Sequence, residues 1–145
     1  MEIRKFIGLV FLVVSLISIG IFITQTEFSN QIQVWISYEY YMQFAPYVIS
    51  IMLFYCGLYL ITNNSKSNFA MAIFGYTIFE LVALERLGIL SNNLGTTTTL
   101  LFGCSAIAAL WVAHANSFGL KRLSIKEILL SVFVGAIEST LLYYL

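Results

Sequence analysis

Two glutamates stand inside long apolar stretches, where a charged side chain is costly. Glu80 lies in FELVALERLGIL (residues 79–90) and Glu138 lies in FVGAIESTLLYYL (residues 133–145). An ionised group at the centre of a bilayer costs roughly 2.5–3.5 kcal/mol on insertion scales. At least one of two neighbouring carboxyl groups in such surroundings carries a proton. The two glutamates therefore predict a binding site for protons or small cations.

Hydroxyl groups close to both glutamates are expected to complete such a site. Tyr76 and Thr77 precede Glu80 by about one helical turn, and Ser139 and Thr140 directly follow Glu138. Side chains three or four residues apart share one face of a helix, as Tyr76 and Thr77 do with Glu80. Ser139 and Thr140 stand beside Glu138, and all four groups can satisfy a neutral acid by hydrogen bonds. Two other roles are open for the glutamates: a hydrogen bond that only holds two membrane helices together, and contact with a partner subunit.

The sequence gives little support for an enzyme. It contains no Asp, and it has no GxSxG, HExxH, CxxC or phosphate-binding glycine loop. His114 is the only histidine, and Cys56 and Cys104 are isolated in apolar runs, so no metal or cofactor site is expected. For His114 we favour a solvated interfacial position, with a proton acceptor as the alternative. The formal net charge of zero gives no reason to expect a nucleic-acid partner.

The composition predicts that these residues are held in a membrane. Apolar residues make up 60% of the 145-residue chain and charged residues 10%, with a mean hydropathy of +0.91. Spanning a bilayer takes about 20 apolar residues in a helix. Residues 1–145 therefore predict one all-α domain, a polytopic integral membrane bundle with five spans, or with four as the alternative count. The windows are Phe6–Thr24, Tyr47–Thr62, Phe69–Leu90, Thr97–His114 and Ile128–Leu145.

Basic residues orient this bundle, because Lys and Arg accumulate on the cytoplasmic side of membrane proteins. With five spans, six of the seven basic residues fall on one side: Arg4, Lys5, Lys66, Lys121, Arg122 and Lys126. The N-terminus is then cytoplasmic and the C-terminus is outside. The first window ends without a small-residue cleavage site, so we expect an uncleaved span. A multi-pass protein of the cell membrane is the resulting prediction.

Depth along the spans relates the two glutamates to each other. At 1.5 Å per residue, Glu80 lies ~16 Å beyond Phe69 and Glu138 lies ~15 Å beyond Ile128. Both spans run outward, so the two carboxyl groups are expected at one level near the midplane. Glu85 and Arg86 lie ~24 Å along their span, close to the outer boundary where they can reach water.

Two further segments carry structural predictions. Residues 25–46, QTEFSNQIQVWISYEYYMQFAP, are rich in aromatic residues and predict an anchor at the outer surface, either an interfacial helix or a paired strand. Ser124 and Glu127 have the spacing of a capping box at the start of the fifth span. Small residues recur along the fourth span and predict a helix contact; they are Gly103, Ala106, Ala109 and Ala113.

Two classes of function remain compatible with the sequence. The first is a small ion or proton channel or transporter that uses Glu80 and Glu138. Five spans enclose little volume, so we expect such a protein to form a homo-oligomer in the lipid bilayer. The second is a non-catalytic accessory subunit of a larger membrane complex, in which the same residues bind helices of partner subunits.

Overall fold

A computed structural model describes residues 2–35, 37, 40, 43–89 and 95–144. The regular structure in these residues is entirely helical, without a strand, as the sequence predicts. Six helices follow one another along the chain: α1 (Ile3–Gln25), α2 (Ile32–Trp35), α3 (Ala45–Ile61), α4 (Ser67–Arg86), α5 (Thr96–Ala115) and α6 (Ile125–Tyr144).

Three of these helices, α1, α4 and α5, are long and apolar enough to cross a membrane. Helix α3 is a shorter apolar helix of 17 residues. Many large apolar side chains point outward, including Leu16, Trp111 and Phe133, each more than half exposed. An apolar outer surface of this extent is unusual in soluble monomers. The fold is that of a helical membrane protein.

Helix α4 lies at the centre of the bundle. It packs against α3, α5 and α6, while α1 packs mainly against α3. Its apolar side chains Met71 and Phe74 are completely buried, together with Leu53 and Leu60 of α3 and Ala109 of α5. Any group on the inner face of α4 therefore contacts several helices at once.

Helices α4 and α6 run in the same direction and in the same register. Near the start of α4, the side-chain amide of Asn68 donates to the Lys121 carbonyl, just before α6, at 3.0 Å. Further along, Thr77 of α4 contacts Glu138 of α6. Glu80 and Glu138 each lie thirteen residues after the first residue of their helix, or ~20 Å along it. The shared level of the two glutamates predicted from the sequence is thus present in the fold.

One end of the bundle collects the basic residues. The Arg4 side chain donates to Asn63 in the α3–α4 turn, and Asn68 donates to Asn116 at the end of α5 at 2.9 Å. These contacts bring together the start of α1, the α3–α4 turn and the α5–α6 linker. We call this the basic end; it contains Arg4, Lys5, Lys66, Lys121, Arg122 and Lys126.

The third predicted span is too long at its C-terminal end. Helix α4 ends at Arg86 and not at Leu90, which lies outside the described residues. Gly88 has a φ of +69°, a conformation that glycine adopts readily. The Gly88 and Ile89 amides donate to Glu85 and Leu84 carbonyls at 2.9 and 3.0 Å, the bonds of a Schellman motif. The helix is therefore closed four residues before the predicted boundary.

At the start of α6 the predicted capping box is confirmed. The Ser124 amide donates to Glu127 Oε2 at 2.8 Å, and the Glu127 amide donates back to Ser124 Oγ at 3.2 Å. These reciprocal bonds satisfy amides that have no partner within the helix. Lys121 Nζ lies 2.7 Å from Glu127 Oε1 and ties the linker to the same cap.

The described residues of the aromatic segment, residues 25–46, include the helical turn α2 and a helical Tyr40, and no strand. Trp35 Nε1 donates to the Ser29 carbonyl at 2.6 Å. The Gln43 side chain pairs with the backbone of Glu27, at 3.1 Å and 3.3 Å. Side-chain to backbone bonds thus hold the segment together, and Ile36, Tyr38, Glu39, Tyr41 and Met42 lie outside the described residues.

Candidate functional site

The packing of α4 on α6 brings Thr77 and Glu138 into direct contact. Thr77 Oγ1 lies 2.8 Å from Glu138 Oε2, and the Thr77 side chain is fully buried. The same hydroxyl lies 2.9 Å from the carbonyl of Ile73, one turn earlier in α4. This is the main polar contact between the two helices near their middle.

The Thr77 hydroxyl can serve Glu138 in two protonation states. A hydroxyl carries one hydrogen and two acceptor lone pairs. If Thr77 donates to Glu138, the Glu138 carboxyl accepts the hydrogen bond and can be ionised. If Thr77 donates instead to Ile73, its oxygen accepts a hydrogen bond from a protonated Glu138. Either direction of the hydrogen bond keeps Thr77 and Glu138 in contact.

The absence of a side chain at Gly135 leaves space for Glu80 beside the contact between Thr77 and Glu138. A Cβ atom at Gly135 would lie 3.0 Å from the Thr77 backbone nitrogen and 3.1 Å from Glu80 Oε2. The missing side chain lets the Glu80 carboxyl lie against the backbone of α6, one turn before Glu138. We call Thr77, Glu80, Gly135 and Glu138 the carboxyl site.

Glu80 has an unsatisfied polar atom at this site. Its Oε2 is buried and has no hydrogen-bond partner among the described residues. A buried acceptor without a donor costs about 1–3 kcal/mol, and more when it is charged. A proton or a small cation bound at Glu80 would remove this cost. The carboxyl site is thus chemically suited to binding a positive species from the surrounding solution.

The other hydroxyl groups named in the sequence prediction bond elsewhere. Tyr76 OH lies 2.9 Å from His114 Nε2 on α5. Ser139 Oγ donates to the Ala136 carbonyl at 3.2 Å, and Thr140 Oγ1 donates to the Ala136 and Ile137 carbonyls. Of the four expected hydroxyls, Thr77 alone contacts one of the two carboxyl groups, and it does so across the helix boundary.

Side-chain direction accounts for this difference. Long side chains in a helix lean toward its N-terminus, so Tyr76 points to the basic end and meets His114 near the end of α5. A Ser or Thr in a helix interior bonds to the carbonyl one turn earlier when no other acceptor is near. Spacing along one helix therefore does not decide which hydroxyl meets which acid.

The predicted helix contact on α5 lies inside the bundle. Ala106, Ala109 and Ala113 are buried, and α5 packs extensively on α4. Gly103 does not belong to the close contact, because a Cβ atom there would meet nothing within 4 Å. The stripe serves packing of this chain on itself.

The closest helix approaches use glycines that the sequence did not single out. A Cβ at Gly57 of α3 would lie 2.6 Å from the Gly8 carbonyl oxygen of α1, and one at Gly75 would lie 2.4 Å from Leu110 Cγ. Isolated glycines carry no spacing signal. Their role is visible only when it is known which helices are neighbours.

The described residues do not form a metal centre. The described residues contain no group of three or more His, Cys, Asp or Glu side chains that could hold a metal ion. The polar atoms that the structure brings to the carboxyl site are few: Thr77 Oγ1, Glu80 Oε2 and Glu138 Oε2. Ca²⁺ and Mg²⁺ require six or more oxygen ligands. The carboxyl site fits a proton better than a divalent ion.

Taken together, the helices and their exposed apolar surface define an all-helical membrane protein with a polar site between two parallel helices. No protein-family model, curated protein or solved structure matches the chain.

Proposed function

We propose that this chain is an integral membrane protein that binds a proton at Glu80 and Glu138 and moves protons across the bilayer as a homo-oligomer. The observation that carries the proposal is the buried, unpartnered Oε2 of Glu80 beside the bonded pair of Thr77 and Glu138. A carboxyl oxygen kept in apolar surroundings without a donor favours whatever state supplies one. Proton uptake is the simplest such state.

The proposal includes five membrane spans, which would place the carboxyl site within the hydrocarbon layer. Helices α1, α4 and α5 meet the length and hydropathy of a span, and the 20 residues of α6 correspond to ~30 Å. The 17 residues of α3 correspond to ~26 Å, which tilted neighbours and local thinning of the bilayer accommodate. The alternating order then leaves the basic end on one side of the membrane, and the positive-inside rule assigns that side to the cytoplasm.

An experiment on the purified protein in liposomes tests the proposal. Glu80→Gln and Glu138→Gln remove the titratable group and keep a similar shape, so both are expected to reduce proton flux at least about 100-fold, the lower end of the range for positioned acid and base groups. A pH-sensitive dye inside the vesicles reports the flux. Glu85→Gln on the same α4 helix is the matched control and should conduct like the wild type.

The oligomeric state of each variant is checked in mild detergent before the flux is compared. Wild-type liposomes without proton flux above protein-free liposomes would rule out the proposal. Equal flux in wild type, Glu80→Gln and Glu138→Gln would also do so, since conduction would then bypass the carboxyl site.

A second candidate function is an accessory subunit of a larger membrane complex. Helix α6 packs chiefly on α4, and it exposes Leu129 and Phe133 on the remaining surface. These apolar residues could contact a partner helix as well as lipid. Purification in mild detergent with a mass measurement separates the two functions, because an accessory subunit brings foreign subunits with it and a self-contained transporter yields copies of one chain.

A further inference from the structure

The hydrogen bond between Tyr76 and His114 connects α4 to α5 outside the carboxyl site. Tyr76 OH lies 2.9 Å from His114 Nε2, and the two rings meet edge to face with centroids 5.8 Å apart. His114 is the only histidine of the chain. Histidine is the side chain that most readily takes up and releases protons near neutral pH.

The position of His114 gives it access to solvent at the basic end. Its side chain is exposed, and α5 ends at the next residue, Ala115. Asn116 follows and is bonded to Asn68 at the start of α4. His114 therefore stands at the level where the buried part of the bundle meets the loops.

The Tyr76 side chain extends from the α4 backbone beside the carboxyl site to His114. It lies nine residues into α4, or ~14 Å, and it precedes Glu80 by one helical turn. Its backbone carbonyl carbon lies against Gly135, at 3.2 Å from the position of a Cβ atom there. The next residue, Thr77, bonds Glu138. His114, Tyr76 and the carboxyl site thus form an ordered series from the basic end inward.

We propose that His114 and Tyr76 are the proton entrance to the carboxyl site from the basic end; this inference rests on the proposed function. A proton from water binds Nδ1 of neutral His114. The Nε2 proton then passes to the Tyr76 oxygen, while the Tyr76 hydroxyl proton leaves through an intervening water molecule to the Glu80 carboxylate. His114 is left neutral with its proton on Nδ1, Tyr76 is again a neutral phenol, and Glu80 is protonated.

The charges around His114 are compatible with this role. On α4 the titratable groups toward it are Tyr76 and, one turn deeper, Glu80, and α6 contributes Glu138 at the same deeper level. Lys121 of the linker is bonded to Glu127, and Arg4 of α1 is bonded to Asn63 and Glu2. Within the described residues no carboxylate forms an ion pair with His114.

Two substitutions test the entrance in the same liposome assay. Tyr76→Phe removes only the hydroxyl, and His114→Ala removes the ring. Each is expected to lower proton flux by roughly 10²-fold and to weaken its dependence on pH at the basic side. Added imidazole should restore flux to His114→Ala. Tyr55→Phe on α3, an exposed tyrosine, is the matched control and should leave flux unchanged.

The outcomes separate the entrance from the proposed function. Infrared spectra of protonated carboxyl groups should match the wild type in Tyr76→Phe, because the carboxyl site itself is intact. If wild type conducts, Glu80→Gln does not, and Tyr76→Phe and His114→Ala both conduct normally, the entrance is wrong and the function stands. If His114→Ala loses flux that imidazole cannot restore and Tyr76→Phe conducts normally, the entrance is also wrong. Absence of wild-type flux overturns both.

Discussion

At Thr77, a single hydroxyl lies within bonding distance of its own helix and of a carboxyl oxygen on α6. The hydroxyl is fully buried, so no water replaces it when it is removed. Its two possible partners let it act as donor or acceptor toward Glu138 without a change of position. Packing of α4 on α6 and the proposed proton binding at Glu138 consequently depend on the same atom.

Thr77→Val is therefore expected to lower the free energy of unfolding by roughly 0.6–2 kcal/mol, the range for a hydrogen bond between membrane helices. Thr77→Ser keeps the hydroxyl and should recover most of the loss. Unfolding in mixed micelles gives the measurement, with Thr140→Val, whose hydroxyl bonds only its own helix, as control. A loss of equal size in Thr77→Ser would show that the methyl group and not the hydroxyl is responsible.

Glu127 gives a prediction on how stability depends on pH. It lies in the first turn of α6, before the apolar stretch that begins at Ile128. The hydrogen bond from Lys121, and after it those from Ser124, lower the pKa of Glu127 from an ordinary 4.5 to about 2. Because the folded pKa is lowered, its stabilising effect is complete above pH 4.5 and is lost as the pH falls through about 2. Lys121→Gln should move the pKa upward.

A carboxyl-carbon NMR titration of Glu127 in micelles measures this shift directly. Lys126→Gln removes a neighbouring positive charge that does not bond Glu127 in the structure, so it should leave the midpoint almost unchanged. A midpoint in Lys121→Gln equal to that of the wild type would contradict the assignment of Lys121 as the main cause.

At the scale of single residues, the sequence predicted the common level of Glu80 and Glu138 but not their hydrogen-bond partners. Counting along each helix was sufficient to place Glu80 and Glu138 at one level, since the rise per residue is fixed. The bond from Thr77 to Glu138, and the turn of Tyr76 toward His114, depend on the rotation and packing of whole helices. Neither quantity can be obtained from spacing within one helix.

Individual helices make contact through small groups at two different kinds of position. The alanines of α5 are buried against α4 as part of a regular stripe. Gly57 and Gly8, in contrast, bring the backbones of α3 and α1 together at one crossing point. Backbone atoms cannot move aside as a side chain can, so this crossing should tolerate no added atom.

Gly57→Ala is expected to lower the free energy of unfolding by about 1–3 kcal/mol, the usual range for overpacking, because the new Cβ would lie 2.6 Å from the Gly8 carbonyl oxygen. Gly103→Ala is the matched control within a helix. It meets open space and should be neutral, or stabilising by up to about 1 kcal/mol through helix propensity. Denaturant unfolding measures the stability of both variants. Equal stability of Gly57→Ala and Gly103→Ala would contradict the close approach of α1 and α3.

The helices themselves were predictable to within a few residues, and the reason is physical. A span requires an apolar stretch of nearly fixed length, and α1, α3 and α5 begin and end within three residues of the predicted windows. The boundary that failed, at Gly88, depends on a backbone conformation and not on hydropathy. In the aromatic segment, specific side-chain bonds such as Trp35 to Ser29 shape the described residues, and hydropathy does not predict such bonds.

At the scale of the whole molecule, one of the two cysteines lies inside the bundle and the other lies on its surface. Cys56 is 1% exposed, whereas Cys104 is exposed and lines an apolar groove of about 520 Å³ between α1 and α5. Labelling by a lipid-soluble maleimide in native membranes should therefore be confined to Cys104, and slow there because the thiolate is the reactive form. Mass spectrometry of the labelled protein gives the site, and Cys104→Ala should abolish labelling. Labelling of Cys56 without denaturant would contradict the packing of α3.

The orientation of the whole bundle follows from its basic end and can be tested in a cysteine-free background, Cys56→Ala with Cys104→Ala. Asn64→Cys lies in the turn at the basic end, and Glu27→Cys lies beyond the end of α1 at the opposite end. Positive charge is retained on the cytoplasmic side, so an impermeable maleimide should label Glu27→Cys in intact cells and Asn64→Cys only in inverted vesicles. The reverse labelling pattern would show that the basic end lies on the outer side of the membrane. Labelling of both positions from one side would mean that α3 does not cross, which leaves four spans and places α4 and α6 in the opposite direction.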